Sequence, residues 1–167
     1  MTTSSLRRSA ALILTLLVVP LVPGCNSKSP TAPTLPDGDV FPVGLFIATT
    51  SGLVESERRL VRDQAAYETL QEDILGDNPD EVVLDDVDFD QNMVLAVASG
   101  EQPEACYAIE VTAGQADGTD LTVTVTETGP TTDCICAAMM SQPVHVVQVP
   151  RADEVSFFTV SATACEE

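Results

Sequence analysis

The sequence predicts an α+β domain: an antiparallel-rich β structure of about seven strands with one helix packed on it, braced by disulfides. Three observations carry this reading. From residue 43 onward, apolar residues mostly fall in short runs or strict alternation, the habit of strands. Only residues 63–75 show the three- and four-residue steps of an amphipathic helix. Cys106, Cys134, Cys136 and Cys165 form an even set in a chain whose N-terminus reads as an export signal, and such sets form disulfides.

That N-terminus opens with Arg7 and Arg8, followed by an apolar run from Ala10 to Val22 and then Gly24-Cys25. A basic head, a run of this length and a small residue before the cleavage point make a secretory signal. The run falls short of the about 20 apolar residues of a transmembrane helix. A Cys at the first mature position resembles the bacterial lipoprotein box. By that resemblance Cys25 is acylated on its thiol and its amine, and several acyl chains make a stable anchor. The expected organisation is a signal peptide over 1–24, a lipidated Cys25 with a Pro-rich tether over 25–41, and a folded domain over 42–167. Pro30, Pro33 and Pro36 stiffen the tether. The expected location is the bacterial cell envelope, on the periplasmic side or on the outer surface of the outer membrane.

Within the domain, Val43, Leu45 and Ile47 place a first strand over residues 43–50, and Ser56–Val61 reads as a second. Asp63 is the N-cap of the helix, Ala66, Tyr67, Leu70, Ile74 and Leu75 are its apolar stripe, and Gly76 is its C-cap. Glu68, Glu72 and Asp73 lie on the face expected to meet water. Met93–Ala98 is apolar on both faces, so it predicts a central strand covered on both sides. Tyr107, Ile109 and Val111 alternate with polar residues, as do Leu121, Val123 and Val125. Together they flank Asp117-Gly118 and predict a hairpin with a longish loop. Cys134–Met139, Val144–Val149 and Val155–Val160 supply up to three more strands.

The four domain cysteines allow three pairings. A Cys134–Cys136 bridge would close a very tight ring and ranks last. The favoured arrangement joins Cys106 to one member of the Cys134/Cys136 pair and Cys165 to the other. Zinc is disfavoured, because CxC with one distant His145 lacks the usual ligand spacing.

Charge narrows the function. Arg7 and Arg8 belong to the signal and all 26 acidic residues follow it, so the mature chain sets five basic residues against 26 acidic ones, a net −21. A nucleic-acid face needs clustered Lys and Arg, so no nucleic-acid partner is expected. Tryptophan is absent and aromatics make up 4% of the chain, which disfavours stacking platforms for bases or sugars.

Few constellations suggest chemistry. Asp86, Asp88 and Asp90 have the spacing of an oxygen-ligand loop, but an EF-hand counted from Asp86 would need Gly and Glu where Gln91 and Val97 stand. His145 has Ser141 four residues earlier, without a nucleophile elbow, so a hydrolytic triad is not expected. His145 reads better as a partly buried strand residue. The sequence therefore assigns no catalytic residues, no metal ligands and no cofactor.

The order of segments resembles a known family. RRLVRDQAAYETL (58–70) is followed by VDFDQNMVLAVASGEQPEACYAIEV (87–111), a hairpin, a Cys-containing segment and SQPVHVVQVPR (141–151). This looks like the C-terminal domain of the PrcB family, named for a lipoprotein subunit of a surface protease complex. Val87, Asp88, Phe89, Met93, Val94, Gly100, Tyr107, Ile109, Cys134, Pro143, His145 and Val147 fit its pattern, over roughly residues 43–161. Two positions depart from it: Ala105-Cys106 stands for a glycine pair, and Val144 for a tyrosine. The first departure suggests a backbone feature exchanged for a disulfide. The resemblance implies a non-catalytic accessory that stabilises or assembles with another envelope protein, such as an exported protease. The alternative is a small-ligand or calcium-binding lipoprotein.

Overall fold

The computed structural model describes residues 38–76, 84–132 and 134–163. The expected signal peptide, Cys25, most of the tether and Cys165 lie outside these residues. The elements run β1 (Gly38–Val40), β2 (Val43–Ala48), β3 (Ser56–Val61), α1 (Gln64–Leu75), β4 (Asn92–Ser99), β5 (Ala108–Asp117), β6 (Asp120–Gly129), β7 (Val144–Pro150) and β8 (Glu154–Thr163). They form two four-stranded sheets, ordered β1-β5-β6-β8 and β2-β7-β4-β3. Every pairing is antiparallel except β6 with β8. The described residues form eight strands rather than about seven.

β4 explains the architecture. Met93, Leu95 and Val97 point into a core shared with Ile109 and Val111 of β5, Leu121, Val123 and Val125 of β6, and Val147 and Val149 of β7. This core lies between the two sheets. Val94, Ala96 and Ala98 point the other way, onto Tyr67, Leu70 and Ile74 of α1. All six β4 residues are fully buried, as a run apolar on both faces requires. The layers are thus sheet, sheet and helix, with β4 and β7 in the middle layer.

A 12-residue helix is marginal alone, so packing holds α1. Each of its three buried side chains is worth about 1.5–3 kcal/mol on transfer from water. The predicted caps are in place: Asp63 accepts from the Ala66 N–H at 2.9 Å, and Gly76 takes φ 51° while its N–H donates to the Glu72 carbonyl at 3.0 Å. Glu68 and Glu72 face water, but Asp73 does not stand free. It is half-buried and pairs with Arg59 of β3 at 2.5 Å.

The entrance to β4 is built by Val87-Asp88-Phe89. Phe89 packs edge-on against Tyr67, with ring centroids 5.6 Å apart, and Val87 joins the same cluster. Asp88 folds the chain back on itself: its carboxylate accepts from the Asp90 N–H at 3.0 Å and its carbonyl from the Asn92 N–H at 2.8 Å. The acidic run is a turn at a strand entrance, and among the described residues no three His, Cys, Asp or Glu side chains converge on a metal-sized site.

Several boundaries differ from the expectation. The sheet begins at Gly38 rather than near Pro42, because β1 pairs with β5 and Val40 enters the core. The β5–β6 connection is the two-residue Gly118-Thr119, not a longish loop, since Asp117 still pairs with Asp120. In β2 a register shift between Gly44 and Phe46 breaks the alternation, which leaves Val43 and Ile47 exposed and turns Leu45, Phe46 and Ala48 toward the helix-side core. Cys134–Met139 is not a strand: it belongs to the 130–143 connection and pairs with no strand among the described residues.

Candidate functional site

The 130–143 connection carries the most unusual surface of the molecule. Connections longer than about a dozen residues without secondary structure are commonly functional. This one is tied down along its length. Cys136 is bridged to Cys106 in the β4–β5 connection. Cys134 is also disulfide-bonded. Gln102 and Ser141 exchange backbone hydrogen bonds at 2.8 and 3.0 Å, and the Ala105 N–H donates to the Ala137 carbonyl at 3.1 Å. The Gln142 N–H reaches the Thr49 carbonyl beyond β2 at 2.9 Å.

The side chains on this braced segment are apolar and exposed. Ile135 is 98% exposed, and Met139 and Met140 are 59% and 54% exposed. Cys134-Ile135-Cys136-Ala137-Ala138-Met139-Met140 contains no charge in a strongly acidic chain. Ile135, Met139 and Met140 thus form an apolar prominence on a segment held by a disulfide and backbone hydrogen bonds.

Beside it runs a groove made of two joined clefts. One, of about 400 Å³, is lined by Ile47, Ala48, Thr49, Thr50, Ala108 and Ile109. The other, of about 510 Å³, continues from Thr49 and Ala108 to Tyr107, Cys106, Ile135 and Ala137. The groove therefore lies between β2 of one sheet, the first half of β5 of the other, and the braced loop.

His145 stands on β7, in the middle layer. The side chain is buried, and Nδ1 accepts a hydrogen bond from the Val111 backbone N–H at 2.9 Å. That N–H sits where β5 shifts register against β6, between Val111 and Ala113. His145 thus ties a bulge in one sheet to the middle strand of the other. Accepting at Nδ1 requires the ring to be neutral there. Burial lowers its pKa, and the nearby Glu110 carboxylate opposes that only in part. The unfolded chain then takes up a proton near pH 6.5 before the folded one does, so stability is complete above that pH and falls as pH drops through it. A loss of urea midpoint between pH 7.5 and 5.5 is expected in the native protein, and His145→Asn, whose amide oxygen can accept the same N–H, should flatten it. His145→Ala should cost about 1–3 kcal/mol at pH 7.5 by leaving the N–H unpaired, and less at pH 5.5.

His145 and Ser141 do not form a catalytic pair. The Ser141 hydroxyl donates to the Glu104 carbonyl at 2.7 Å, while His145 Nδ1 is taken by Val111. Both side chains hold backbone together. Of the four cysteines singled out in the sequence, Cys106 and Cys136 are joined as one of the favoured pairings proposed. Sequence reasoning missed the groove and the exposed loop. The available signal was the charge-free run between Cys134 and Met140, which fits an exposed, disulfide-braced loop as well as a strand.

Residues 93–150 match the family model described as PrcB C-terminal. The matched segment runs from the first core residue of β4 to the end of β7, and includes His145, the disulfide and the braced loop. No curated protein and no solved structure matches the chain.

Proposed function

From the PrcB C-terminal domain at residues 93–150, we propose that this chain is a non-catalytic accessory lipoprotein of a bacterial envelope. It is anchored through Cys25 and binds or stabilises an exported partner protein, a protease being the leading candidate. The family match is the observation that carries the reading. The resemblance described for this family implies association with a protease complex, and the surface fits a binder. Its apolar residues are held on a braced loop beside a groove, so little ordering cost remains to be met on docking. Ser141 and His145, the residues closest to a hydrolytic set, are both occupied by structural hydrogen bonds. The tether keeps the domain clear of the bilayer, where such a partner would meet it.

The test is capture of the mature lipoprotein from its native envelope in mild detergent, with mass spectrometry of the associated proteins and of the N-terminal peptide. A stoichiometric exported protease and an acylated Cys25 are the expected results. A chain that comes out alone would remove the accessory role, and an unmodified Cys25 would remove the anchor.

A further inference from the structure

We propose that β8 pairs antiparallel with β8 of a second copy about a two-fold axis at Thr159, giving a weak dimer that strengthens as salt rises. The proposal is independent of the accessory reading above.

The two sheets end in four edge strands, β1 and β8 in one, β2 and β3 in the other. An open edge is a template for another chain, and proteins blunt it with short strands, bulges, Pro or charge. Three of these edges are blunted. β1 is three residues long. β2 is broken by the register shift between Gly44 and Phe46. β3 carries Glu57, Arg58 and Arg59. β8 has none of these devices. It runs ten residues, Glu154–Thr163, in unbroken register with β6. Its stretch from Val155 to Thr163 holds no Lys, Arg, Asp, Glu or Pro, in a strongly acidic chain.

This edge is reachable. Among the described residues β8 pairs with β6 alone. Val155 and Phe157 pack on the core between the sheets, so Ser156, Phe158 and Val160 turn to the outer face. Phe158, Thr159, Val160 and Ser161 are all exposed, so both faces of the strand are open there. Phe158 is 61% exposed, a large apolar side chain left in water.

Self-complementarity selects the occupant. Thr159 is the midpoint of the uncharged stretch. A two-fold axis there, normal to the sheet, lays the stretch against itself and keeps inner and outer faces in step. Phe158 of each copy then stands opposite Val160 of the other, and Thr159 opposite Thr159. Aromatic with β-branched and Thr with Thr are favourable cross-strand pairs. On β6 the neighbours of Phe158 and Val160 are Thr124 and Thr126, so the outer face stays uncharged across the joint. Glu154, the one charge on β8, falls at the outer end of the ladder.

Charge and size set the strength. Two acidic copies repel at long range, and salt screens that repulsion while leaving the ladder intact. One strand a side is far less than the about 20–30 residues a side of a standard interface. The dimer is therefore concentration-dependent and favoured by salt.

The test is sedimentation equilibrium of the full mature chain in density-matched detergent, over a concentration series at low and high salt. A monomer–dimer equilibrium that tightens with salt is expected, with slower hydrogen exchange in Phe158–Ser161 at high concentration. Thr159→Lys sets like charges opposite each other on the axis and should weaken the dimer about tenfold or more, although it lowers the net negative charge. Thr159→Glu should do the same. Mixing the two variants should restore dimers, because Lys then faces Glu. Gln115→Lys makes the same charge change on exposed β5, away from the edge, and should not weaken pairing. All variants keep the anchor, so the strand alone differs. A chain that stays monomeric at every concentration and salt, a dimer that survives Thr159→Lys, or a mixture that remains monomeric would each overturn the proposal. If exchange in Phe158–Ser161 slows only when a captured envelope protein is present, the edge belongs to that protein and self-pairing fails.

Discussion

Gly100→Ala should lower stability by roughly 2–5 kcal/mol, more than most single-atom additions to a protein surface. Gly100 follows the last residue of β4 at φ +72°, a conformation that costs an L side chain about 1–2 kcal/mol. Space adds to the cost. A Cβ there would lie 2.7 Å from the Ser56 N and 2.9 Å from both the Glu55 carbonyl carbon and the Val54 oxygen. These are backbone atoms at the start of β3, so they cannot swing aside as a side-chain tip would. Ser56 pairs with Ser99, and the Glu101 N–H donates to the Val54 carbonyl at 3.0 Å, so any shift at Gly100 strains the β3–β4 edge. Overpacking of this kind typically costs a further 1–3 kcal/mol. The check is a thermal melt, where a drop on the order of 10 °C is expected for a domain of this size. Gly118→Ala is the matched control. Gly118 also has positive φ, at 63°, but nothing lies within 4 Å of a Cβ built there, so it should show the conformational cost without the clash.

The contrast between these glycines shows where sequence reading succeeds. β4 was legible because complete burial leaves a continuous apolar run, and α1 because Tyr67, Leu70 and Ile74 keep one period. Asp63 and Gly76 were legible because capping is local chemistry between neighbours in sequence. The Cys106–Cys136 bridge was narrowed by elimination among few cysteines. What escaped depends on partners distant in sequence. Nothing in Glu154–Thr163 announces that β8 joins β6 in parallel, since a strand's own residues do not encode which neighbour it finds. The bulges at Gly44/Phe46 and Val111/Ala113 arise from two strands adjusting to each other and to His145. Without them, Ile47 is read on the wrong side and half of the groove disappears. The groove itself exists because β1 is three residues long beside a ten-residue β5, a mismatch that neither segment carries alone.

Removing the Cys106–Cys136 bridge by the double change Cys106→Ser/Cys136→Ser should lower stability by about 3–4 kcal/mol. The bridge closes a sequence separation of 30 residues, and chain-entropy cost for a loop of that length in the unfolded state gives a figure of this size. The guanidinium midpoint should fall on the order of 1 M, given a slope of a few kcal/mol per M for a domain of this size. The folded state should survive, because both hydrophobic clusters lie away from the bridge and contain neither cysteine. The loop should lose part of its rigidity. Its remaining ties near Cys136 include the disulfide of Cys134 and the Ala105–Ala137 and Gln102–Ser141 backbone hydrogen bonds, the hydrogen bonds each worth about 0.5–1.5 kcal/mol net. Hydrogen exchange at the Ala105 and Ser141 amides should therefore accelerate far more than at the β4 amides. If exchange instead rises equally in β4, the bridge supports the whole domain and not the loop. Binding then separates the two roles of the loop. A partner that docks on a pre-ordered surface must meet the ordering cost once the bridge is gone, so its affinity should fall at temperatures where the domain is still fully folded. An unchanged affinity there would mean that the contact surface lies elsewhere on the domain.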